Sequence, residues 1–93
     1  MKISPRNIIF HELIGLRVEI INSSNKSQIG ISGRVIDETA NMLVIESDKG
    51  RKMVSKKDVV IVFYLPTGEK VKVEGKVIVG RPEERLKKKF RRW

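Results

Sequence analysis

Cysteine is absent from this 93-residue chain. That excludes disulfides, thiolate nucleophiles and cysteine-based zinc sites together, and it suits a reducing compartment. His11 is the single histidine, so no histidine acid–base pair can form within one chain; beside Glu12 at a helix end, it reads as a surface or capping residue. Aromatic side chains are limited to Phe10, Phe63, Tyr64, Phe90 and Trp93. Phe63 is assigned to the core, so stacking on unpaired bases is not the expected mode of any nucleic-acid binding. No apolar run approaches the roughly 20 residues of a membrane span, and Met1 to Phe10 lacks the long apolar core of a signal peptide. The expectation is a soluble, cytoplasmic protein without a membrane partner. Acidic residues are also sparse. Asp37 and Glu38 are adjacent, which on a strand sends them to opposite faces, and Asp48 falls in a separate turn. These read as solvated turn acids, so the sequence holds no convincing carboxylate cluster for a metal. No glycine-rich phosphate loop ending in Lys-Ser or Lys-Thr occurs.

What is abundant is positive charge. Twenty Lys and Arg against eleven Asp and Glu give a net charge of +9 and a pI near 10.2, which points to a polyanionic partner. The excess is uneven: residues 80–93 contain seven basic and two acidic residues, whereas residues 13–79 contain eleven and eight. A chain of this length makes one domain with a small core, burying roughly 60 to 65% of its unfolded surface.

Hydrophobic periodicity predicts mainly β structure. Ser4 and Pro5 start a helix, stapled by Ile3 and Ile8, and Gly15 ends it. Its broad apolar face (Ile8, Ile9, Phe10, Leu13, Ile14) either closes the core or docks a partner. Leu16, Val18 and Ile20 alternate with polar residues as a half-buried strand, and Asn22 to Gln28 is an exposed loop. Ile29, Ile31, Gly33 and Val35 share one face of a strand that Gly30 and Gly33 allow to bend sharply. The run from Gly33 to Ile45 is a hairpin whose connection of four or five residues, with Asp37, Glu38, Thr39 and Asn41, suits a type I turn. Asp48, Lys49 and Gly50 make a tight second hairpin turn. Ser55 to Asp58 interrupt the pattern, and Val59 to Leu65 is apolar enough for a strand buried on both faces. Val71, Val73, Val77 and Val79 then alternate with polar residues, with Gly75 as a bend. Arg81 and Pro82 open a basic helix with Glu83 and Glu84 in its first turn and Lys87 to Arg92 near its end, matching the helix dipole.

The expected architecture is a small, strongly bent antiparallel barrel of five to six strands. One domain covers residues 1–93, with an N-terminal helix over 1–14, the barrel over 16–79 and the basic helix over 81–93. Arg81, Arg85, Lys87, Lys88, Lys89, Arg91 and Arg92 would neutralise several phosphates; roughly six such contacts weaken binding about a thousandfold between about 50 and 200 mM salt. Between them Leu86, Phe90 and Trp93 form a stripe suited to docking. Structured RNA, recognised by backbone and shape, fits this composition better than single strands.

Three ordered motifs carry a resemblance over nearly the whole chain: His11-Glu12-Leu13-Ile14-Gly15-Leu16; Gly33-x-Val35-x-Asp37-Glu38-Thr39-x-Asn41-x-Leu43; and Arg81-Pro82-Glu83-x-Arg85. In that order they resemble the archaeal ribonuclease P protein component 1 family. The resemblance implies an Sm-like barrel wrapped by terminal helices, and a noncatalytic subunit of an RNA-based endonuclease that removes 5′ leaders from precursor tRNA. It implies magnesium on the RNA subunit and no cofactor on the protein. The implied partners are ribonuclease P RNA, precursor tRNA indirectly, and a zinc-ribbon ribonuclease P protein. By the same likeness the N-terminal segment, the Ile29–Val35 strand and the C-terminal helix become partner surfaces, with Ile8, Ile9, Phe10, Leu13, Ile29, Ile31, Leu86 and Phe90 as candidates. Arg34, Lys56 and Lys57 join the C-terminal cations as candidate RNA contacts, on charge alone. An alternative is an Sm-like ring-forming protein that binds single-stranded RNA in its pore. An enzyme in its own right is the third class.

Overall fold

The computed structural model describes residues 13–80. The described chain contains six strands: β1 (Arg17–Ser23), β2 (Ser32–Glu38), β3 (Met42–Ser47), β4 (Gly50–Ser55), β5 (Val59–Tyr64) and β6 (Lys70–Glu74). Short 3-10 turns occupy Lys26–Gln28, Lys56–Asp58 and Gly75–Ile78. All pairings are antiparallel, in the order β4-β3-β2-β1-β5-β6. The expected barrel is therefore corrected: among the described residues the sheet is open, with β4 and β6 as its edges. The expected N-terminal helix lies outside the described residues except for its last two positions, where Leu13 and Ile14 are not helical. The C-terminal helix lies wholly outside them.

Alternation sets the faces of the sheet. Val18, Ile20, Val35, Leu43, Ile45, Val54, Ile61 and Phe63 point inward and are at most 1% exposed, each worth roughly 1.5 to 3 kcal/mol of transfer free energy if fully buried on folding. β5 was expected to be buried on both faces; instead its burial alternates, and Val60, Val62 and Tyr64 are half-buried.

Two irregularities matter for function. The β1–β5 register shifts between Ile20 and Asn22, and the β2–β3 register shifts between Val35 and Asp37. Each inserts an extra residue, so the parity of the strand changes beyond it. In β2 the consequence is that Glu38, opposite the core residue Leu43, turns inward. The two inner glycines act by close approach. A Cβ on Gly33 would lie 2.0 Å from the Glu46 carbonyl oxygen, and one on Gly75 would lie 1.9 Å from that of Lys56. The strand expected to run to Val79 accordingly stops at Glu74: the chain passes against the Lys56 backbone and coils into Gly75–Ile78, burying Ile78 and leaving Val77 50% exposed.

The hairpin turns follow sequence chemistry. Asp48 and Lys49 form the two-residue connection between β3 and β4, with Gly50 at φ +105° and the Ser47 hydroxyl donating to the Gly50 carbonyl at 2.9 Å. In the β2–β3 connection the Thr39 hydroxyl accepts from the Met42 N–H at 3.0 Å. This gives the expected turn role to Thr39, but the connection is residues 39–41 only: Asp37 and Glu38, expected in the turn, pair with Val44 and Leu43 as part of β2.

Candidate nucleic-acid and partner interface

The most heavily bonded polar group in the described chain is Lys56, at the start of the Lys56–Asp58 turn. It was expected at an RNA surface, and this is corrected, because its side chain is fully buried. Its ammonium lies 2.7 Å from Glu38 Oε2 and also donates to the carbonyls of Thr39 (2.8 Å), Gly80 (2.9 Å) and Ala40 (3.4 Å). An ammonium has three protons, so this set satisfies it and offsets the large cost of taking the charge out of water. Glu38 was read as a solvated turn acid; its side chain is also fully buried. Its second oxygen accepts from the Leu13 N–H at 3.4 Å. The Gly80 N–H donates to the Ala40 carbonyl at 2.6 Å. One ion pair thus ties together the β2–β3 connection, residue 13 and residue 80.

The other sequence-derived candidates divide. Arg34 is exposed on β2, with its guanidinium donating to the Gly15 carbonyl at 3.0 Å. Lys57 is exposed beside a shallow groove that also carries Asp58, Glu74 and Lys76, and Lys76 pairs with Glu74 at 3.5 Å. The surroundings of Lys57 are therefore electrically mixed. Arg81, Arg85, Lys87, Lys88, Lys89, Arg91 and Arg92 lie outside the described residues.

Among the partner candidates, Leu13 is corrected to a core residue at 0% exposure. Ile31 packs half-buried against the core, whereas Ile29 is 45% exposed. Ile29 and Ile31 line a cleft of about 570 Å³ between the Lys26–Gln28 turn and the β3–β4 hairpin, with Gln28, Ser47, Lys52 and Met53. Met53, 57% exposed, was not singled out from the sequence; a lone methionine in an alternating strand carries no signal until β4 is seen to face this cleft. Ile8, Ile9, Phe10, Leu86 and Phe90 lie outside the described residues. Among the described residues no group of three or more His, Cys, Asp or Glu is arranged to hold a metal, and no helix is long and apolar enough to cross a membrane.

A small antiparallel sheet with exposed cations on its outer surface, and a largely polar cleft at one corner into which Ile29, Ile31 and Met53 bring apolar surface, has the character of a binding module. The family described as "Ribonuclease P/MRP, subunit p29" matches residues 6–88. Ribonuclease P protein component 1 of Methanocaldococcus jannaschii is 55% identical over 89 residues, covering 96% of this chain and 94% of the relative. That of Methanosphaera stadtmanae is 53% identical over 88 residues, 95% of each chain. Among solved structures, Mth11, described as a homologue of human RNase P protein Rpp29, is 51% identical with a TM-score of 0.59, covering 80% of this chain and 96% of its own. The chain belongs to the ribonuclease P/MRP subunit p29 family.

Proposed function

We propose that this chain is the RNA-binding protein subunit of ribonuclease P, supporting a catalytic RNA in removing 5′ leaders from precursor tRNA. Likeness to ribonuclease P protein component 1 along nearly its whole length is the observation that carries the assignment. The net charge of +9 supports the RNA-binding role, because a protein subunit that offsets phosphate repulsion stabilises folded RNA. In this reading residues 1–93 act as one cytoplasmic domain without its own cofactor. Magnesium sits on the RNA, and the protein does not cut. The seven cations of residues 81–92 supply RNA contacts together with Arg34 and Lys57. Ile29, Ile31 and Met53 offer the described part of a docking surface for a zinc-ribbon ribonuclease P protein, with Ile8, Ile9, Phe10, Leu86 and Phe90 as its proposed continuation.

Reconstitution tests the assignment. Ribonuclease P RNA with the remaining protein subunits is expected to process precursor tRNA more slowly when this chain is omitted, and this chain alone is expected to leave the substrate intact. Metal-dependent cleavage by the chain without RNA, or processing indifferent to its omission, would overturn it.

A further inference from the structure

We propose that the outer face of the sheet carries a track for the sugar–phosphate backbone of RNA, built from one transverse row of side chains. It rests on the RNA-subunit reading and adds a site to it. The row follows from strand register: Arg51 pairs with Glu46, Glu46 with Arg34, Arg34 with Arg17, Arg17 with Tyr64, and Tyr64 with Lys70. Each of the six strands contributes one residue to this line. At a strand spacing of about 4.8 Å the row runs on the order of 20 Å. Its members face outward because the next residues along, Val18, Val35, Ile45 and Phe63, face the core.

Four of the six positions are cationic and one, Glu46, is anionic. Arg17 and Arg34 sit directly opposite each other, a like-charge pairing that destabilises a sheet. Neither they nor Arg51 nor Lys70 form an ion pair among the described residues. Glu19, the carboxylate on β1, accepts the hydroxyl of the row member Tyr64 at 3.1 Å, which places a second negative charge at the margin of the row. Lys70 stands over the Tyr64 ring at 5.6 Å from its centroid. Lys72, opposite Val62 in the neighbouring row, extends the positive potential.

A row with cations at four of its six positions, interrupted by Glu46 between Arg51 and Arg34, carries a net positive charge that complements a line of phosphates. Guanidinium groups in particular bind phosphate oxygens through paired hydrogen bonds. A phosphate strand over the row would also relieve the Arg17–Arg34 repulsion.

The test uses the full chain and transcribed ribonuclease P RNA, titrated from about 50 to 300 mM salt. Arg17→Gln combined with Lys70→Gln is expected to lower the slope of log affinity against log salt by about one to two units, with about tenfold or greater loss of affinity at low salt. The equally charge-depleting pair Lys26→Gln with Lys76→Gln, off the row, is expected to change both much less. Arg17→Glu separates binding from folding. Placed opposite Arg34, it is expected to leave the melting temperature equal or higher while weakening RNA binding more than the neutral pair does. Row variants no worse than the off-row pair would overturn the track. So would retained RNA affinity with lost capture of a protein subunit, which would give the face to a protein. Absence of salt-dependent RNA binding by the unaltered chain is a different result, and counts against the RNA-subunit reading itself.

Discussion

Lys56→Met removes the cation from the buried pair and keeps an unbranched side chain of similar length. Glu38 then retains a buried negative charge without the ammonium that stood 2.7 Å from its Oε2. Truncating one partner of a buried pair costs about 3 to 5 kcal/mol, and the carbonyls of Thr39 and Gly80 lose a short donor at 2.8 and 2.9 Å as well, each worth about 1 kcal/mol. A loss of about 5 to 7 kcal/mol is expected, against a total of roughly 5 to 15 kcal/mol for a domain. At about 4 to 8 °C per kcal/mol for this size, the melting temperature should fall by at least about 15 °C. Urea unfolding followed by circular dichroism measures it, with an unchanged dependence on urea showing that the compactness of the two states is retained. Lys56→Met combined with Glu38→Leu should lose less than the two single changes together, by about 1 to 3 kcal/mol, because no lone charge remains. A Lys56→Met loss below about 1 kcal/mol, or strict additivity, would refute the account of this pair.

Gly75→Ala is expected to destabilise by at least about 3 kcal/mol, since the new Cβ meets backbone atoms that cannot swing aside. Gly68→Ala, at φ +92° with nothing nearby, should cost about 1 to 2 kcal/mol, and equal losses in thermal melts would discount the close approach. The sole tyrosine titrates above its ordinary 10.0, because its hydroxyl is bonded to Glu19 and the nearby negative charge opposes ionisation. The stability this bond contributes is therefore complete below about pH 10 and is lost as pH rises through the raised folded value. Phenolate absorbance should show that midpoint and a lower one in Glu19→Gln, whereas identical midpoints would disprove the coupling. Finally, Ile29→Lys with Met53→Lys should abolish binding to the proposed zinc-ribbon partner in a pull-down while leaving the melt within about 0.5 kcal/mol, as exposed substitutions do; retained capture would move the interface elsewhere.

The legible parts of this fold are those set by neighbours in sequence. Val18 and Ile20 alternate plainly, and Asp48-Lys49-Gly50 can hardly be anything but a tight turn. Glu38 was illegible because one extra residue in β2 reverses its face, and period-two counting carries no sign of that insertion. Lys56 looked like part of a solvated interruption, since a lysine shows its burial only when the four groups that accept its protons are assembled from distant positions. The alternation of Val71, Val73, Val77 and Val79 continues past the point where the strand ends, because the obstacle is the backbone of Lys56, nineteen positions before Gly75. Arg34 was picked out on charge, but its alignment with Arg17, Tyr64 and Lys70 is a property of register between strands. The apolar members of the cleft were half legible: Ile29 and Ile31 stand out in sequence, and Met53 joins them only when the β3–β4 hairpin folds alongside.

Because Leu13 and Gly80 are moored to the same carboxylate–ammonium pair, two positions on opposite sides of the sheet sequence share one address with the β2–β3 connection. A disturbance of either side chain of the pair is therefore felt at all three places at once, so the pair couples segments that no strand ladder joins directly.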